Sequence, residues 1–389
     1  MTCRTLFAAG LALLGSAWAY PADDPETAKV MAKYKHNIDR GLQWLARQQY
    51  RDGHWEATNG RYPIAMTALA GMALLAEGST PHQGKYAKHI DDAVEYLVSR
   101  CQKNGLIGNP LDPEERQRYM YGHGFATMFL SQVYGEETDP RRREELKQIL
   151  QRAVEFTIRA QTRLGGWGYV SAADGSDFDE GSVTITQVQA LRAARNAGIP
   201  VPKDAIDRAH EYLKKSTVLA PGGDHTDPKK RIAGVIYSLQ RAGDRRVRGP
   251  LTAAGVACMF NAGEYDSEMA IQWLNYCQKY LPTDKVNTIE HWEYTNYYYA
   301  QVLYTLGEDR HAQLRPDLAE IEQNDPNQKV LLKWSRYREV TFEHICAQQN
   351  ADGSWTGRGG FSNVGPVYVT SVFLTILQLD KANLPIYQR

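Results

Sequence analysis

The sequence lacks a long hydrophobic run. No stretch approaches the ~20 consecutive apolar residues that a membrane-crossing helix needs, so no transmembrane span is expected. It also lacks an excess of charge of either sign. Lys+Arg and Asp+Glu both number 45 in 389 residues, which leaves no electrostatic case for a nucleic-acid partner. Two short basic runs, Pro140-Arg141-Arg142-Arg143 and Arg245-Arg246-Val247-Arg248, read as a helix start or solvated loop. Cysteine is scarce, at five residues with no C-x-x-C pair. Cys101, Cys258, Cys277 and Cys346 fall in helical patterns, as buried thiols or as cross-links whose pairing the sequence leaves open. Finally, no Gly/Ser or Pro-rich linker interrupts residues 31–380. One domain is expected there, although the length would allow two or three.

The start of the chain carries leader-like features. Arg4 precedes a short apolar stretch, Leu6 to Leu14. Ala17-Trp18-Ala19 has the small-x-small form of a cleavage site. The expectation is a signal peptide over 1–19, a linker over 20–30, the domain over 31–380 and a tail over 381–389. Export to a periplasmic or extracellular space would then permit disulfides.

What is present is repetition. Arg40-Gly41-x-x-Trp44-Leu45-x-x-x-Gln49-x-x-x-Gly53-x-Trp55 recurs as Arg152-Ala153-x-x-Phe156-x-x-x-x-Gln161-x-x-x-Gly165-x-Trp167. It recurs again as Ile345-x-x-x-Gln349-x-x-x-Gly353-x-Trp355. Weaker copies surround Tyr96, Tyr212 and Trp273. Each anchor lies in an amphipathic helical pattern. Between anchors come segments apolar nearly all round, which mark buried helices. These are 63–76, 122–134, 183–197, 251–262, 294–306 and 366–379. Pro63 and Pro366 suit first turns. Gly78, Gly135, Gly198, Gly263 and Gly307 suit helix ends. Six outer and six inner helices follow. The best copies of the phrase lie in the first and last pairs, which favours a closed ring over an open solenoid with polar caps. The stretch 233–239 reads either as a short helix or as a strand-like loop.

This phrase is similar to the QW repeat of squalene–hopene and oxidosqualene cyclases, and the same helix pair occurs in protein prenyltransferase β subunits. The resemblance implies an all-α (α/α)6 toroid. It implies that Gln49, Gln161 and Gln349 cap neighbouring helices while stacking on Trp55, Trp167 and Trp355. Class II cyclases protonate their substrate from a D-x-D-D motif. Here Asp177-Phe178-Asp179-Glu180 reads D-x-D-E, with Gly181-Ser182 before the next helix. Zinc prenyltransferases need a D-x-C that this sequence does not have, and His344-Ile345-Cys346 falls on an outer helix. Neither a metal nor a cofactor is expected.

Loops leading into the inner helices should rim one mouth of such a ring. The candidate catalytic residues are therefore Asp177, Asp179, Glu180 and the glycine-flanked His123. Tyr121, His291, Trp292, Tyr294, Tyr298 and Tyr368 are the candidates to bind ligand. Their apolar faces and polar tips suit an isoprenoid, a carbocation or a sugar ring. Tyr297, Tyr298 and Tyr299 point three ways on a helix, so at most two can face one ligand. The expected partner is a small molecule, an isoprenoid or a glycan, with a peripheral membrane or protein partner left open. Binding in an aromatic cavity, cyclase-like acid catalysis, and glycan cleavage by Asp179 or Glu180 paired with Glu290 or Glu293 are the three functional expectations.

Overall fold

The computed structural model describes residues 25–388, apart from 114, 176, 225, 242, 284–288 and 358–363. The expected leader lies outside the described residues. In chain order the helices are α1 (Pro25–Arg47), α2 (Pro63–Glu77), α3 (Ala87–Ser99), α4 (Tyr119–Glu136), α5 (Pro140–Arg159), α6 (Gly181–Asn196) and α7 (Lys203–Lys215). They continue as α8 (Gly249–Asn261), α9 (Glu268–Tyr280), α10 (Trp292–Leu306), α11 (Arg310–Leu314), α12 (Pro316–Asn324), α13 (Trp334–Ala347) and α14 (Pro366–Leu377). Each apolar segment became an inner helix, and each anchor residue sits on an outer one. The inner helices pack in sequence, α2 on α4, α4 on α6, α6 on α8, α8 on α10 and α10 on α14. Helix α14 then returns to α2, so the ring is closed.

Burial explains why the inner helices form. Ile64 through Ala76 of α2 are buried without a break. Each large apolar side chain so placed contributes about 1.5–3 kcal/mol. Several of their polar residues are satisfied locally. Thr127, Ser131, Thr186, Thr252, Ser371 and Thr375 each donate a hydroxyl hydrogen bond to the carbonyl one turn back.

The repeated phrase has one geometry in its three full copies. Each indole Nε1 donates to a carbonyl of its own outer helix, Trp55 to Leu45, Trp167 to Thr157 and Trp355 to Ile345, all at 2.7 Å. Each Trp backbone N–H donates to a threonine hydroxyl on the following inner helix, Thr67, Thr184 and Thr370. Each glutamine amide spans two chains. Gln49 donates to Gly53 and His89, Gln161 to Gly165 and Ala205, and Gln349 to Gly353 and Asn37. The glutamines thus clasp carbonyls of the next outer helix and do not cap its free N–H groups. The intervening glycine has positive φ at all three sites. At Gly165 an added Cβ would lie 2.3 Å from the Arg208 carbonyl oxygen, at Gly53 2.2 Å from that of Asp92 and at Gly353 2.7 Å from that of Arg40. Gln349 closes the series, because its partner Asn37 lies on α1.

The structure departs from expectation in several places. Helix α1 begins at Pro25, inside the expected linker. Helix α4 runs through Gly135, which caps nothing. Helix α6 starts at Gly181 with no intervening residues after Glu180. The short helices α11 and α12 lack an inner–outer pattern and were not foreseen. The 233–239 stretch supplies strand β2 (Ala233–Val235), antiparallel to β1 (Thr217–Leu219). The expected tail is folded into the end of the ring where the inner helices finish. Ile386 N–H donates to Gln132 Oε1, Asn383 donates to the Ala76 carbonyl, and the Tyr387 hydroxyl bonds that of Tyr297 at 2.6 Å. Cys101, Cys258, Cys277 and Cys346 are free thiols. No helix among the described residues is long and apolar enough to cross a membrane.

Candidate functional site

All six inner helices present their N-terminal ends to the same side. Between those ends lies a cavity of about 610 Å³. Its wall is aromatic, built by Tyr62, Tyr119, Tyr121, Phe125, Tyr169, Tyr237, Tyr294 and Tyr368, with Met66, Leu69 and Leu251 between them. Six parallel helix N-termini give this side a positive potential. Two buried carboxyls answer it. Glu115 accepts from the N–H groups of Ile64, at the start of α2, and Asn109. Glu180 caps α6, its Oε2 accepting from Val183 N–H at 2.9 Å and Ser182 Oγ at 2.6 Å. Burial raises the pKa of both above the ordinary carboxyl value, against the pull of these hydrogen bonds.

The D-x-D-E cluster is split by backbone geometry. Glu180 is extended, with φ −147° and ψ 130°, and successive side chains of extended chain point to opposite sides. Glu180 therefore faces the cavity, and Tyr121 reaches its carboxylate at 3.5 Å while bonding Ser182. Asp179 turns outward. It is fully buried, and its Oδ2 accepts from the Tyr212 hydroxyl on α7 and from Leu239 N–H, both at 2.8 Å. Asp177 lies farther out and holds Arg163 through backbone and side chain. The Arg163 contacts keep its carboxyl below the usual range. Neither aspartate lines the cavity.

His123 does not line it either. It lies two residues past Tyr121, about 200° round the helix, and faces α5. Its Nδ1 accepts from Ile107 N–H at 3.1 Å and its Nε2 contacts Thr157 Oγ1 at 2.9 Å. Gly105 and Ile107 occupy the Gly and Trp places of a degenerate copy of the phrase. His123 stands where the full copies have Thr67, Thr184 and Thr370. It is a repeat residue, enclosed and neutral, its pKa lowered by burial to about 4. The unfolded value near 6.5 is higher, so this stabilisation is present above pH ~6.5 and is lost as pH falls toward ~4. His123→Thr is expected to fold and to abolish that part of the acid-induced fall in thermal midpoint. An unchanged acid profile would refute the assignment.

Of the remaining candidates, Tyr121, His291, Tyr294 and Tyr368 line the cavity, and Trp292 and Tyr298 do not. Trp292 packs on His344 and Phe373, away from it. Tyr298 lies one turn deeper than Tyr294, against which it packs edge-on at 5.0 Å. It also packs edge-on to Tyr297, which packs edge-on to Tyr387. Glu290 and His291 are on the exposed rim, and His291 holds a left-handed backbone with φ 48°. Glu293 is buried toward Gly357 and Val369. Among the described residues no group of three or more His, Cys, Asp or Glu side chains is placed to hold a metal ion.

The chain folds as an α/α toroid. Solved structures that share this shape perform different chemistry. The type II terpene cyclase MstE from Scytonema, in complex with its substrate geranylgeranyl dihydroxybenzoate, matches with TM-score 0.53 and 13% identity over 92% of this chain and 99% of its own. A GH76 alpha-mannanase from Bacteroides thetaiotaomicron matches with TM-score 0.53 and 9% identity over 92% and 98%. The glucoamylase of Hormoconis resinae matches with TM-score 0.54 and 12% identity over 92% and 74%. No protein-family model matches the chain, and no curated protein matches it in sequence. At these identities the likeness is one of fold, and function has to be argued from the site.

Among the lining residues that were not sequence candidates are Arg118, Tyr169, Tyr237 and Arg241. Tyr169 and Tyr237 sit on loops and share a hydroxyl–hydroxyl hydrogen bond at 2.6 Å. Arg118 and Arg241 lie over their rings. One signal was available: Tyr169 follows Trp167 by two residues, where the extended chain leaving the phrase turns back toward the ring.

Proposed function

We propose that this protein binds an apolar, ring-bearing or isoprenoid small molecule in the aromatic cavity at the N-terminal ends of its inner helices. One observation carries the reading: a cavity of about 610 Å³ lined by Tyr62, Tyr119, Tyr121, Tyr169, Tyr237, Tyr294 and Tyr368. That volume is in the class that encloses a drug-sized molecule. The repeat phrase supports kinship with the QW-repeat proteins, and the proposal includes an exported chain.

A second reading, acid-catalysed cyclisation with Glu180 as proton donor, is favoured by Glu180 being the D-x-D-E residue that faces the cavity. It ranks behind binding on chemical grounds. Protonating a carbon–carbon double bond needs an acid made stronger than usual, whereas burial makes Glu180 weaker. Glycan cleavage has less support. Both oxygens of Glu115 are held by backbone N–H groups, and Glu290 is on the exposed rim.

The test is native mass spectrometry of the purified protein with geranylgeraniol as probe. Wild type should form a one-to-one complex, and Tyr294→Ala/Tyr368→Ala should weaken it at least tenfold, about 1.4 kcal/mol. Equal binding by the double variant would place the ligand elsewhere and defeat the reading. Conversion of the probe by wild type and not by Glu180→Gln would promote the catalytic one.

A further inference from the structure

Two guanidinium groups at the mouth of the cavity, those of Arg118 and Arg241, have no carboxylate partner among the described residues, and Glu290 lies on the same rim. The Arg118 guanidinium lies 5.1 Å from the centre of the Tyr169 ring, and that of Arg241 4.6 Å from the centre of the Tyr237 ring. The two tyrosine hydroxyls bond each other, so the four side chains form one assembly on the rim. All four line the cavity. Among the described residues no carboxylate pairs with either guanidinium, although ion pairs are common elsewhere on this surface. Nearby Arg248, by contrast, is held by Asp244 at 2.5 Å. Stacking on a tyrosine ring fixes the plane of a guanidinium and leaves its N–H edge open. An open, oriented edge suits a planar or tetrahedral anion, bound through paired N–H donors. The loops carrying these groups are anchored. Gly181 N–H donates to the Tyr237 carbonyl, Asp179 holds Leu239, and Met120 N–H donates to the Tyr169 carbonyl.

We infer that the cavity ligand is an anionic amphiphile: an apolar or aromatic body lies against Tyr121, Tyr294 and Tyr368, and a carboxylate or phosphate end is bound at the mouth by Arg118 and Arg241. This rests on the binding reading above and adds the polarity and orientation of the ligand. Buried Glu180 lies on the wall inside the mouth. An anionic end placed at that depth would meet the Glu180 carboxyl, whereas at the mouth it meets two guanidinium groups. The arginines are exposed, so their attraction is screened by salt.

The test uses matched probes that differ only at one end. Geranylgeraniol, the corresponding carboxylic acid and geranylgeranyl phosphate are titrated into the full-length protein by calorimetry. A naphthyl alcohol and its matching carboxylate form a second pair. At low salt the anions should bind about tenfold more tightly than the alcohols, and the preference should shrink at high salt. Carboxylate and phosphate arms show which head is preferred. Arg118→Gln/Arg241→Gln should abolish the preference by weakening the anions far more than the alcohols, and leave the thermal midpoint nearly unchanged. Alcohols binding as tightly as anions would overturn the inference while sparing the cavity reading. So would a preference that survives in the double variant. Failure of every probe with both bodies would overturn the cavity reading and this inference with it.

Discussion

Trp355→Ala is expected to be among the most damaging single substitutions in this chain, with a loss of about 3–5 kcal/mol in denaturant unfolding. Typical domains have only 5–15 kcal/mol in total. Trp355 is fully buried. Its indole N–H donates to Ile345, its backbone N–H to Thr370, and its ring packs edge-on to Phe373 at 6.0 Å. It also fills the space over Gly41, where an added Cβ would come within 2.5 Å of the ring. Gly41 belongs to α1 and Trp355 to the last repeat, so the indole packs at the joint where the ring closes. Truncation leaves a void between the first and last pairs, and the surrounding helices can relax only partly into it. Leu111→Ala, at a side chain 90% exposed, is the control and should change stability by less than about 0.5 kcal/mol. A loss below ~1 kcal/mol at Trp355 would mean that closure does not depend on this contact.

The second large effect concerns Asp179. Asp179→Ala should lower stability by about 2–4 kcal/mol, because it strands the Tyr212 hydroxyl and the Leu239 N–H in a buried site. Asp179→Asn keeps an acceptor oxygen and should recover most of the loss. The readout that separates support from chemistry is ligand affinity. Leu239 lies between Tyr237 and Arg241, so releasing it loosens one side of the cavity mouth. Asp179→Ala should therefore weaken binding of an anionic probe more than that of its neutral counterpart, and Asp179→Asn should bind both like wild type. If Asp179→Asn is as stable as wild type yet loses all activity on any substrate later found, the aspartate is chemical and its placement here as a positioning residue is wrong.

The architecture was readable because two periodicities recur at fixed spacing. A helix apolar all round, such as 63–76, has to be inside. An amphipathic one ending in Gln-x-x-x-Gly-x-Trp has to be outside it. The direction of single side chains was less readable. Asp179 and Glu180 are neighbours in sequence and diverge because the chain entering α6 is extended at Glu180. Tyr121 and His123 diverge because two helical residues differ by about 200°. Arg118, Tyr169 and Tyr237 come together only through tertiary packing of three separate segments, for which one sequence carries no periodic signal. His123 was legible in principle, since it occupies the threonine place of a copy whose tryptophan has become Ile107. That alignment needed the hydrogen bond to make it visible.

The joint between α1 and α13 has a consequence for the making of the protein. Asn37 and Gln349, which meet there, are separated by 312 positions. A ribosome adds roughly 5–20 residues per second, so the first helix pair waits roughly 15–60 s for its last neighbours to be synthesised. Throughout that interval the face of α2 destined for α14 has no partner, and the nascent chain presents an apolar surface that chaperones or other unfinished copies can seize. High contact order of this kind slows folding. Yield from the cell is then governed by how long the ring stays open during synthesis, independently of how stable it becomes once shut.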